Sequence, residues 1–356
     1  MKTSRLLVAC LAGLAVSLPA ASQEWLDKAS DALVLESSNG WFRAKMSGLL
    51  DLETYYIDQR PPGLIFQDDG VLFNPRLSLF LDVQLGKHLY GFAQARFDRG
   101  FDPDVKEHGD ARMDEYLLRY TPLDDTRINL QIGKFATTFG NWVQRHESWR
   151  NPFITAPLAY ENVLGITDQF VPSGPARLLG RKALGDLKAI WLPVIWGPSY
   201  ASGASVFGAV GKFDYAFEVK NVGLSSRPSA WDATQVDWDY PTLGGRVGYR
   251  PNAAWNIGTS FSRGTYLLPD ADATLPSGYS RGDYAQTTFG QDINFAWHRW
   301  QLWAEVIESR FNVPNVGNAD SLSYYLEAKY IFNPRVFAAL RWNQQLFGTV
   351  PDAHGN

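Results

Sequence analysis

Apolar and polar residues alternate along most of this chain. In 41–56, Phe42, Ala44, Met46, Gly48, Leu50, Leu52 and Tyr56 share one face, and Arg43, Lys45, Ser47, Asp51 and Glu53 the other. Leu77, Leu79, Leu81, Val83 and Leu85 likewise oppose Arg76, Ser78, Asp82 and Gln84. Leu322, Tyr324, Leu326, Ala328, Tyr330 and Phe332 oppose Ser323, Tyr325, Glu327 and Lys329. A period of two marks strands with two different faces. It predicts thirteen strands, near 41–57, 74–86, 88–99, 111–121, 126–138, 203–211, 213–222, 241–251, 254–265, 283–297, 300–311, 320–333 and 335–347. Segments 177–184 and 187–195 suggest one more hairpin.

Such strands exceed the mean of about 5–6 residues in soluble proteins and suit tilted membrane crossing, which takes about ten. The connections alternate between short and long. Gly86-Lys87, Leu123-Asp124-Asp125, Gly211-Lys212, Pro251-Asn252, His298-Arg299 and Asn333-Pro334 are short. Segments 58–74, 100–110, 139–203, 223–240, 266–282 and 312–320 are long. Aromatic residues gather near strand ends, including Trp41, Tyr56, Trp255, Trp297 and Trp300. These features describe an all-β fold, a transmembrane antiparallel β-barrel with its apolar face on lipid and its charged face on a lumen. A soluble β-sandwich would alternate too, but with shorter strands.

Both counts, thirteen and fifteen, are odd, whereas single-chain bacterial barrels are even. The last strand is followed by loop-like residues ending at Asn356. A barrel of about 16 strands with its C-terminal strand or strands missing is therefore expected. The lumen rows carry both signs. Arg43, Lys45, Arg76, Arg96, Arg119, Arg246, Lys329 and Arg341 are matched by Asp51, Glu53, Asp82, Asp98, Glu115, Asp292, Glu305 and Glu327. They read either as a transverse field across a pore or as salt bridges holding the wall.

The N-terminus sets the compartment. Met1-Lys2-Thr3-Ser4-Arg5, an apolar run from Leu6 to Leu18, and Ala20-Ala21-Ser22 make 1–22 a secretory signal peptide. Cys10 follows too few apolar residues for a lipoprotein site, and cleavage would leave a cysteine-free chain. Residues 23–40 then form a short periplasmic segment, loosely helical through Trp25, Leu26, Ala29, Leu33 and Val34, or a disordered tail. The barrel would occupy 41–356, with a long inserted loop at 139–203.

Composition narrows the function. Thirteen Trp, 16 Tyr and 21 Phe give 14% aromatic residues, too many for a disordered chain. A net charge of -4 lacks the basic excess of a nucleic-acid binder. A mean hydropathy of -0.22 excludes a helical membrane bundle. No nucleotide, flavin or haem motif appears, so no cofactor is expected. His146-Glu147-Ser148 is the one tempting catalytic cluster, but adjacent residues do not converge as a triad must. Acidic pairs such as Asp270 and Asp272 read as solvated loop charge rather than a metal site.

The longest connection concentrates charge: Arg145, Glu147, Arg150, Glu161, Arg177, Arg181 and Lys182. Folded inward, these residues would constrict a pore and filter ions by sign. The alternatives are an exposed contact loop, or a structural or receptor barrel with a closed lumen.

Gln94-Ala95-Arg96-Phe97-Asp98-Arg99-Gly100-Phe101-Asp102-Pro103 ends the third strand. Ile132-Gly133-Lys134-Phe135, Phe139-Gly140 and Asn151-Pro152 follow in order. Over about 41–347 this arrangement resembles the phosphate-selective porin O and P family of Gram-negative outer membranes. The resemblance implies a 16-stranded homotrimeric porin among lipid and lipopolysaccharide, with its third loop in the pore, passing small solutes or anions such as phosphate. The sequence departs from that family in having few lysines and mixed signs along the lumen.

Overall fold

The computed structural model describes residues 33–58, 63, 65, 70–99, 110–180, 190–228 and 238–351. The proposed signal peptide, Arg181 and Lys182 lie outside the described residues. Among the described residues, fourteen antiparallel strands form one sheet in sequence order. They are β1 Val34–Glu36, β2 Phe42–Ile57, β3 Gly70–Leu85, β4 Leu89–Asp98, β5 Asp110–Tyr120, β6 Asn129–Phe135 and β7 Ala201–Val210. Then come β8 Phe213–Lys220, β9 Thr242–Tyr249, β10 Trp255–Thr265, β11 Ala285–Trp297, β12 Trp300–Val313, β13 Gly317–Asn333 and β14 Val336–Phe347. No pairing joins β14 to β1 or β2 among the described residues.

The alternation sorts the two faces as expected. Leu50, Leu52, Ile132, Leu243, Leu340 and Trp342 are exposed on the outside. Ser78, Gln94, Arg246, Asp292, Glu305 and Glu327 are buried on the inside. A belt of exposed Leu, Ile, Val and Phe around a polar interior inverts a soluble protein and suits lipid. At the short-turn end, Trp297 faces Trp300 across the hairpin, Trp300 packs at a tilt 4.8 Å from Tyr330, and Trp255 lies 4.5 Å from Phe295. This aromatic band is where a membrane interface favours amphipathic rings.

The sheet curls. Arg145 pairs with Glu327 on β13, and Glu147 pairs with Arg96 on β4. Nine strand intervals separate β4 from β13. In a flat sheet they would lie about 43 Å apart, far beyond the reach of residues two apart in sequence. The inner faces of β4 and β13 therefore look at each other across the loop.

Four expectations need correction. Residues 177–179, placed at the start of an extra hairpin over 177–184 and 187–195, instead end a short helix Pro175–Leu179 with Pro175 in its first turn, where a missing N–H costs nothing. Segment 181–189 lies outside the described residues. Val34–Glu36, read as part of a helical or disordered segment, pairs with Arg43–Lys45 as a short strand. The connection at 312–320 is only three residues, because Arg310 and Asp320 pair across the strands and Asn315 and Gly317 take positive φ in a tight turn. The fifth predicted strand, 126–138, shrinks to Asn129–Phe135, since residues 136–138 already turn inward to hydrogen-bond other strands.

A bulge re-aims one pair of acids. Gln94 opposes Glu115 while Ala95 opposes Met113, leaving Asp114 as the extra residue. Asp114 is buried, 2.9 Å from Arg96 and 2.8 Å from Arg112.

Candidate functional site

The described residues of 136–180 and 190–200 run across the interior instead of standing outside it. The first turnings are anchored by backbone donors. Ala136 N–H donates to Glu115 on β5 at 2.8 Å, and Thr138 N–H to Glu218 on β8 at 3.0 Å. Gly140 N–H donates to Ser260 on β10 at 3.0 Å, and Asn141 N–H to Glu305 on β12. The segment thus steps along the inner wall as a chord.

Glu305 gathers the loop. It also accepts from Trp142 N–H at 3.1 Å and from the Tyr160 hydroxyl at 2.7 Å. Gly140 has φ +71°, and a Cβ there would come within 2.5 Å of the Glu305 carboxylate and 2.6 Å of the Tyr160 hydroxyl. Only glycine lets the backbone approach this closely. Phe139, Trp142, Val143, Tyr160, Val194 and Ile195 pack with Ile307 and Tyr325 of the wall in one apolar cluster. The loop therefore carries its own core into the lumen.

Arg145 is buried, with Nη1 2.5 Å from Glu327 and its guanidinium 4.5 Å from the Trp303 ring centre. Glu327 also lies 2.7 Å from Arg341, whose Nη1 donates to Thr155 O at 2.7 Å. Glu147 meets Arg96 at 3.1 Å and accepts from Gln94 at 2.9 Å. Burial works to raise the Glu147 carboxyl pKa. The His146 hydrogen bond and the Arg96 charge outweigh that and hold it at about 2. Its folded value is below the unfolded one. The stabilisation is thus present above the ordinary carboxylate range, about 4.3, and is lost as pH falls through about 2. Circular dichroism in the aromatic region and loop proteolysis should show a docked loop at pH 4 and a released one near pH 2. Replacing Glu147 with Gln should abolish that step and leave the loop as loosely held at pH 4 as the wild type is near pH 2.

The other candidate residues separate. Arg150 is exposed and donates to Gln144 O at 3.2 Å. Glu161 accepts from Ala156 N–H at 3.0 Å. Arg177 is exposed on its short helix. Along the wall, Arg76 lies 2.9 Å from both Asp51 and Glu53, and Asp98 pairs with Arg112 at 2.5 Å. Arg246 spans Asp214 at 2.9 Å and Asp292 at 2.7 Å, and Arg119 donates to Gln131 at 2.9 Å. Arg43 lies 3.9 Å from Glu36 on β1, and Lys45 is exposed. Most of the wall charges are thus engaged in pairs. His146 Nε2 lies 2.8 Å from the Tyr200 hydroxyl and Nδ1 2.6 Å from Val143 O, so its ring is held by the loop itself. Arg112, Asp114, Glu218 and Tyr325 were not among the expected site residues. The adjacent acids Asp114-Glu115 break the alternation and were the visible sign of a bulge.

Space remains on one side of the loop. A gap of about 370 Å³ lies between Gln144, Trp149 and Arg150 of the loop and Phe80, Asp82 and Glu115 of the wall. Trp149 stands edge-on to Phe80 at 5.5 Å.

No protein-family model and no curated protein sequence matches the chain. Among solved structures it is similar in shape to OmpF of Salmonella typhi in complex with daunomycin, at 10% identity and a TM-score of 0.49, over 87% of this chain and 81% of that one. An anion-selective porin from Comamonas acidovorans is similar at 12% identity and TM-score 0.49, over 86% of this chain and 79% of that one. The outer-membrane channel DcaP of Acinetobacter baumannii is similar at 11% identity and TM-score 0.49, over 88% and 81%.

Proposed function

We propose that the protein is an outer-membrane porin of a Gram-negative bacterium, through which small hydrophilic solutes diffuse passively. The observation that carries this reading is a charged loop docked on the polar inner wall of a curled sheet whose outer face is apolar. The wall and the loop leave a gap edged by Arg150, Asp82 and Glu115. Charges placed at a narrowing filter ions by sign. The docked loop would set the size limit, and Arg150, rather than the paired Arg145, would be its accessible cation.

Mixed signs on the wall favour a channel with modest preference over one dedicated to phosphate. A homotrimer with lipopolysaccharide around it is the assembly that the sequence resemblance implies, and cross-linking in native membranes tests it.

Planar-bilayer recording tests the function. A stable single-channel current supports the porin, and no current at any voltage rejects it in favour of a closed structural barrel. Arg150→Ala should shift the reversal potential in a salt gradient toward cations while leaving the loop docked. An unchanged reversal potential would remove Arg150 from the filter.

A further inference from the structure

The inner wall beside the loop is not uniformly polar. On β3 the inward row runs Arg76, Ser78, Phe80, Asp82 and Gln84, and on β4 it runs Tyr90, Phe92, Gln94 and Arg96. Phe80 and Phe92 thus stand among charged and amide neighbours, their rings stacked 6.3 Å apart. Trp149 reaches them from the inserted loop, edge-on to Phe80 at 5.5 Å, yet it is 54% exposed. A tryptophan that served only to pin the loop would be buried, as Trp142 is at 5%. Aromatic side chains left open around a cleft mark a binding surface. These three rings line the gap of about 370 Å³, a volume within the range of small-molecule sites.

The rim of the gap carries hydrogen-bonding groups of both kinds. Asp82 accepts from the Tyr90 hydroxyl and Glu115 from Ala136 N–H. A carboxylate has about four acceptor positions, so neither is filled by one donor. Gln144 and Arg150, both exposed, bring an amide and a guanidinium to the same gap. Acceptors and donors therefore border an aromatic platform.

We propose that this gap is a binding subsite for a neutral sugar, a pyranose stacked on Trp149 and Phe92 with its hydroxyls meeting Asp82, Glu115, Gln144 and Arg150. The inference rests on the porin reading and names its solute class. A pyranose has a face of C–H groups, which suits the electron-rich face of an aromatic ring, and a rim of hydroxyls that both donate and accept. Inorganic phosphate would meet two carboxylates and leave the rings uncovered. An aromatic ammonium would stack on the rings but meet the Arg150 charge at the rim.

Calorimetric titration of the detergent-solubilised full chain with maltose tests this. Saturable binding is expected, at least tenfold tighter than for sorbitol, which has the hydroxyls without the rigid ring, and than for inorganic phosphate or benzylamine. Trp149→Ala should weaken it at least fivefold, and Trp149→Phe should keep most of the affinity. Heat-modifiable gel mobility verifies that each variant is folded. Absence of saturable heat, affinity no better than for sorbitol, phosphate or benzylamine, or unchanged affinity in Trp149→Ala would overturn the subsite. Single-channel current in the same preparation is read separately. A conducting protein that ignores maltose sinks only the subsite, and a silent one that binds it sinks only the channel.

Discussion

Glu305→Ala should open the channel, raising single-channel conductance at least twofold and exposing 139–160 to protease while the outer strands stay intact. The carboxylate collects Asn141 N–H, Trp142 N–H and the Tyr160 hydroxyl on the inner wall, where it is 2% exposed. Each donor left without an acceptor costs about 1–3 kcal/mol, so losing all three removes the largest single group of bonds that holds this turn of the loop to the wall. The loop would leave the wall rather than keep three unsatisfied groups. Glu305→Gln retains an acceptor oxygen and should give an intermediate conductance. Wild-type conductance in Glu305→Ala would show that the loop does not narrow the passage.

Glu327→Ala should be the most destabilising single change on the wall. The residue is fully buried between Arg145 at 2.5 Å and Arg341 at 2.7 Å. Removing one partner of a buried ion pair typically costs about 3–5 kcal/mol, because the remaining charge stays desolvated. Here two guanidiniums would face each other without a counter-charge. Loss of heat-resistant folded protein at a lower temperature than wild type is the expected readout. Arg145→Met in the same background should restore part of the loss, since it removes one of the stranded charges. A Glu327→Ala protein as heat-resistant as wild type would show that this triad does not hold the loop.

Strand identity was legible because it is a local property. A period of two puts Leu50 and Leu52 on one side and Asp51 and Glu53 on the other, whatever lies beyond. Thirteen of the fourteen strands, β2 to β14, fall where that pattern placed them. The three-residue β1 was missed, since so short a segment has no period to read. The loop's inward path was only an expectation from its length and charge. Its anchors, Glu115, Glu218, Ser260 and Glu305, lie on four different strands; alternation put Glu115 and Glu305 on the inner face, but nothing local showed that one loop joins all four.

The wall charges show the same division. Alternation alone set Arg246 and Asp292 on the inner face, but not that they meet at 2.7 Å. Arg145 looked like a free pore cation and is instead bound to Glu327, while Arg150, five residues on, stays exposed. By itself the sequence determined which faces are apolar, how long the strands are and that their connections are mostly hairpins, because hydrophobic patterning and turn chemistry act between near neighbours. Only the tertiary structure decided which charges are spent on one another and which remain to meet a solute. That depends on the curl of the sheet, which brings strands nine positions apart within reach of a single loop.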